Sequence, residues 1–162
     1  LSTRKALVLF ATHGVAIAVG FALGVYLLPI LIAPPPAGEA ELAAVREQAL
    51  FMGEFRRDLP GSDAFHWGEG RVFIARRNIA FEGALAPGPD YKLYLSPEYV
   101  ETKGEFERAK PRMVRIADVK TFGNFLIQIP DSVDPVNYNA VIIWCETFSM
   151  FITAARYQFT DH

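Results

Sequence analysis

The chain divides by the period of its apolar positions. From Ala6 to Ile32, 27 consecutive residues include no Asp, Glu, Lys or Arg. At about 1.5 Å per helical residue such a run crosses a hydrocarbon layer of roughly 30 Å, so it predicts a membrane-spanning helix. A cleaved signal peptide has a shorter apolar core, about 7 to 15 residues, before a small-residue cleavage site. This run instead exits into Pro34, Pro35 and Pro36, and an uncleaved anchor over residues 1–33 is expected. Residues 34–50 follow as a connection: a stiff, extended exit from Pro34 to Gly38, then a short amphipathic linker helix from Glu39 to about Leu50, with Leu42, Val45 and Ala49 at helical spacing.

Beyond residue 50 the period falls to two. Strands are predicted at Val72–Ala75, Tyr91–Leu95, Met113–Val119, Asn124–Ile129, Ala140–Cys145, Phe148–Thr153 and Arg156–Phe159. Turn chemistry separates them at Pro60-Gly61-Ser62-Asp63, Pro87-Gly88-Pro89-Asp90, Pro130-Asp131 and Asp134-Pro135. An all-β domain over residues 51–162 follows, an antiparallel sandwich or barrel of about seven to nine strands. Asp90 and Asp134 read as turn formers whose carboxylates bond nearby backbone N–H groups.

Composition narrows the function. A length of 162 residues allows one domain and an appended element, and 51% hydrophobic residues place the chain on the apolar side of globular proteins. The net charge of −2 gives no general reason to bind nucleic acid, which is not expected as a partner. Arg4 and Lys5 precede the apolar run and the first charge after it is Glu39. The positive-inside rule therefore puts the N-terminus in the cytoplasm and the rest in the periplasm, in a bacterial cytoplasmic membrane crossed once. Thr12, Ala16, Gly20 and Gly24 fall at four-residue intervals and offer a small-residue strip to another membrane helix. The same residues also suit an ordinary membrane helix, in which Gly and Ala are common. His13 is expected at headgroup level or bonded to a partner, and Tyr26 at the opposite interface.

Chemistry concentrates on few residues. Cys145 is the single cysteine, which excludes an intrachain disulfide framework, a four-cysteine zinc site and covalent c-type haem attachment. It is open to two readings, a small buried hydrophobe or a reactive thiol able to exchange with a disulfide, be oxidised, or bind a metal or haem. His66 lies in Asp63-Ala64-Phe65-His66-Trp67-Gly68-Glu69-Gly70. It is open to reading as a turn histidine bonded to backbone, a general base, or a ligand. His66 and Cys145 are the strong soft ligands here apart from terminal His162, too few for a closed metal site, although a His–Cys pair would suffice as axial ligands of a haem. The cofactor stays open between haem and none. Ser62, Ser96, Ser132 and Ser149 lack the context of a nucleophile elbow, and no nucleotide-binding fingerprint is present.

Several segments together resemble the DM-thirteen electron-transfer domain, often found beside DOMON domains. They are Gly53-Glu54-Phe55, the Asp63–Gly70 segment, Gly88-Pro89-Asp90-Tyr91-Lys92-Leu93-Tyr94-Leu95, Gly123-Asn124-Phe125, Pro130-Asp131 with Val133-Asp134 and Tyr138, and Ile143-Trp144-Cys145-Glu146-Thr147-Phe148. The resemblance implies a β-rich extracytoplasmic module in which the cysteine at position 145 serves redox chemistry, free or holding a prosthetic group. Two functions are expected to compete. One is a membrane-anchored redox module centred on Cys145, with His66 and Asp63 as neighbours that tune or ligate it. The other is a non-catalytic accessory subunit docked on a larger integral membrane complex.

Overall fold

The computed structural model describes residues 2–159, so His162 lies outside the described residues. Helix α1 (Thr3–Ile32) is 30 residues long and buries none of its side chains. It is long and apolar enough to cross a membrane. Pro29 is tolerated in its last turns, and Pro34 to Pro36 leave in extended form. His13 bonds within the helix, its Nδ1 lying 2.8 Å from the Leu9 carbonyl oxygen, and the Thr12 hydroxyl donates to the same oxygen at 3.0 Å.

The β-region is a sandwich of two four-stranded antiparallel sheets, and the barrel alternative is not realised. The strands are β1 (Phe51–Phe55), β2 (Gly68–Ile74), β3 (Asn78–Leu85), β4 (Tyr91–Ser96), β5 (Val114–Val119), β6 (Phe125–Gln128), β7 (Ala140–Cys145) and β8 (Met150–Arg156). One sheet runs β1-β2-β3-β6 and the other β5-β4-β7-β8. Their inner faces meet over Val72, Ile74, Phe81, Leu93, Leu95, Val141, Ile143 and Ile152.

Each outer face carries a helix. Helix α2 (Glu39–Glu47) lays Leu42 and Val45 on Phe73, Ala75 and Ala80. Arg46 is ion-paired to Glu82 of β3 beneath it. On the other sheet, α3 (Lys103–Ala109) buries Phe106 against Trp144, with ring centroids 4.0 Å apart.

The structure departs from the predicted elements at four places. Phe148–Thr153 and Arg156–Phe159 are not two strands but one, β8, because Phe148 and Ser149 form the turn that reverses β7. Ser149 there has a positive φ of 49°. Strand β1 carries no alternating signal, since Gly53 interrupts its apolar pattern. That glycine allows close packing, since a Cβ would lie 3.0 Å from both Ala155 Cβ and the Arg156 carbonyl oxygen. Strand β3 also escaped, its alternation blurred by burial of Ile79, Ala80 and Phe81 in succession. Helix α3 escaped despite a legible start: the Thr102 hydroxyl accepts from Glu105 N–H (3.3 Å) and the Glu105 carboxylate from Thr102 N–H (3.1 Å).

Strand directions sort the loops into two ends. Segments 56–67, 86–90, 120–124 and 146–149 lie at one end, with Cys145 as the last residue of β7. Segments 75–77 and 129–139 lie at the other, and 97–113 leaves from there to cross the outer face of the second sheet, where Lys110 reaches Glu146. The chain leaving α1 joins the cysteine end, where the Ala37 N–H donates to the Asn124 carbonyl at 3.0 Å.

Candidate functional site at the cysteine end

Four of the motif segments singled out in the sequence meet at this end, and tight packing explains their glycines. A Cβ on Gly68 would lie 2.5 Å from Thr153 Cγ2, because β2 starts directly over β8. One on Gly88 would meet the Tyr91 ring at 2.5 Å. That ring, buried beside Cys145 in the paired register of β4 and β7, donates its hydroxyl to the Ala86 carbonyl (2.8 Å). Burial, with Cys145 and Asp63 nearby, pushes the Tyr91 pKa well above its ordinary value, so it stays a neutral donor.

Cys145 is 2% exposed and belongs to the central core, whereas Trp144, next along β7, faces α3. Burial raises the thiol pKa above its ordinary value. Backbone amides of Phe148, Asp90 and Thr147 act the other way and favour the thiolate. The sulfur is therefore desolvated, and burial outweighs these amides, so the neutral thiol is the resting form.

Asp63 and His66 form one unit. An Asp63 carboxylate oxygen accepts from the backbone N–H groups of Phe65 (2.7 Å) and His66 (2.8 Å), and the carboxylate also meets His66 Nδ1 at 2.9 Å. Burial opposes the charge of Asp63, but the His66 ring and the two amides hold its pKa below the usual carboxylate range. An ionised carboxylate only accepts, so Nδ1 carries the hydrogen and Nε2 is left for other chemistry. His66, Cys145 and Tyr91 line one cavity of about 150 Å³, closed by Pro87, Gly88, Pro89, Phe65 and Phe148, with Val25 and Tyr26 of α1 on its edge.

A second network braces the site. Lys92, buried on β4, pairs with Asp90 (2.6 Å) and Asp118 (3.0 Å), while Thr147 donates to Asp90 at 3.0 Å and so ties the β7–β8 turn to the start of β4. Asp90 thus bonds side chains rather than the backbone N–H groups expected from its turn. Asp134 does accept from a backbone N–H, that of Val136, at 3.1 Å. Glu146 accepts from Lys110 Nζ at 2.7 Å and from the Tyr94 hydroxyl. Tyr91, Lys92 and Glu146 lie in the motif segments but carry no site role in the sequence reading, and Asp118 and Lys110 lie outside those segments. The available signal was the Asp90/Lys92 spacing, which puts two opposite charges on the same side of an extended chain.

The residues do not fit a haem. The cavity between His66 and Cys145 is smaller than the roughly 300 to 1,000 Å³ of ordinary ligand clefts, and apart from the buried Tyr91 and Cys145 it is lined by loop and helix residues. Among the described residues no group of three or more His, Cys, Asp or Glu gathers to hold a metal ion.

The arrangement defines a class: a small β-sandwich carrying one buried thiol beside an Asp–His pair, behind a long apolar helix. Residues 54–157 match the family described as Electron transfer DM13, and the chain belongs to that family. No curated protein and no solved structure matches the chain.

Proposed function

We propose that this protein is a membrane-anchored electron-transfer module in the periplasm, with Cys145 as its redox group and His66 and Asp63 as the acid–base pair that serves it. The observation that carries this reading is that Cys145 and His66 line one cavity at the loop end where the family motifs converge. In exchange with a partner disulfide, His66 accepts the thiol proton and the Cys145 thiolate attacks one sulfur. The partner S–S bond breaks as a mixed disulfide forms, and the second sulfur leaves as a thiolate. A second reading, an accessory subunit with an inert thiol, is favoured by the burial of Cys145.

Thiol titration of the full chain in phospholipid vesicles with a membrane-permeant disulfide, before and after denaturation, separates the two, together with an absorption scan. Reaction of native Cys145 with a small disulfide supports the redox reading. A colourless protein whose thiol reacts only after denaturation supports the accessory one.

Helix α1 is proposed as the single span, cytoplasmic at Arg4 and Lys5. Alkaline phosphatase fused after His162 is expected to be active, and an inactive fusion would overturn this orientation. The strip of Thr12, Ala16, Gly20 and Gly24 is proposed to contact an integral membrane partner. A Cβ on Gly20 or Gly24 would meet nothing of this chain within 4 Å. Gly20→Leu with Gly24→Leu keeps the span apolar but forces helices apart, costing about 1 to 2 kcal/mol of association. Loss of membrane partners on purification from mild detergent is the expected result, and unchanged recovery would reduce α1 to a tether.

A further inference from the structure

We propose that the cysteine end of the sandwich rests on the bilayer, with Phe65 and Phe148 inserted at the headgroup level, so that Cys145 is reached from the membrane side and not from bulk water. The inference rests on the reading of α1 as a membrane span and goes beyond it by assigning a lipid-facing surface to the folded domain.

Three observations carry it. Phe65 and Phe148 sit on two loops distant in sequence, yet both belong to the cysteine end and stay 72% and 48% exposed. Paired exposed phenyl rings have no use in the core, whereas apolar side chains of this kind bury at the headgroup–acyl boundary of a bilayer. The outer end of α1 reaches the same place, since Val25 and Tyr26 share the cavity of Cys145, and Leu28, Pro29 and Ile32 share a neighbouring groove of about 380 Å³ with Tyr91 and Phe122. The exit cannot swing the domain away. Only Ala33 to Gly38 separate α1 from α2, Ala37 is hydrogen-bonded to Asn124 at this end, and α2 is packed on the first sheet. A helix that leaves the bilayer here delivers this end to its surface and points the far end, with Val136, toward water.

The occupant is the phospholipid surface itself, and the consequence is that the redox partner of Cys145 is a lipid-phase or membrane-embedded group. The full chain is reconstituted in phospholipid vesicles with and without acyl-chain bromination, and emission is compared with that of the unsubstituted chain. Single substitutions place tryptophan at Phe65→Trp, Phe148→Trp, Val136→Trp and Ile17→Trp. All four positions are exposed, so folding is not at stake.

Bromination is expected to quench the added emission at positions 17, 65 and 148 and to leave position 136 unchanged. Quenching at 17 with positions 65 and 148 as bright as 136 would overturn the bilayer contact and leave the anchor standing. No quenching at 17 would overturn the anchor and the contact together.

Discussion

Cys145→Ser is expected to abolish the redox response of the chain while leaving it folded. The sulfur sits in the central core, where a hydroxyl without a partner costs about 1 to 3 kcal/mol. The volume change from sulfur to oxygen is small, so no neighbour is displaced and the fold is retained within that cost. A thermal melt reads the fold, and electron transfer in the native membrane reads the function. Cys145→Ala is the companion variant: it buries no polar atom and is expected to melt no lower than serine. Full activity of either variant in its native membrane would remove Cys145 from the mechanism.

The largest loss of stability is expected from Gly83→Ala. Gly70 and Gly83 face each other across β2 and β3, Gly70 has a φ of 135°, and a Cβ on Gly83 would lie 2.8 Å from Gly70 Cα and overlap the Glu69 carbonyl oxygen. The obstacle is backbone, which cannot rotate aside as a side chain would. Forced separation also strains the bond from Gly83 N–H to the Asn124 side chain (2.9 Å), and Asn124 in turn holds the exit from α1 through Ala37. Overpacking of this kind costs about 3 kcal/mol, which for a domain near this size lowers the melting temperature by roughly 10 °C or more. Gly123→Ala, whose Cβ finds no atom nearer than 3.7 Å, serves as the control and is expected to melt as the parent does. Equal melting of the two variants would show that β2 and β3 separate at little cost.

What the chain determined by itself was local or periodic. The apolar run of α1 is legible because a helix of that length shows its whole composition in one continuous segment. Strand β7 is legible residue for residue, since Ala140–Cys145 is an uninterrupted apolar run bounded by polar turns. The Asp63–His66 bond is a contact over three residues, and the local segment already placed both groups in one turn.

Tertiary structure decided the rest. Nothing in spacing alone brings His66 to the cavity of Cys145, 79 positions further on, because that meeting depends on which strands pair and which loops share an end. The burial of Cys145 was equally undetermined, since alternation along β7 fixed that Trp144 and Cys145 face opposite sides but not which side is the core. Both sides turned out to be covered, the inner one by the opposing sheet and the outer one by α3. Periodicity reports that a face is apolar, whereas only the packing of distant segments decides what lies against it.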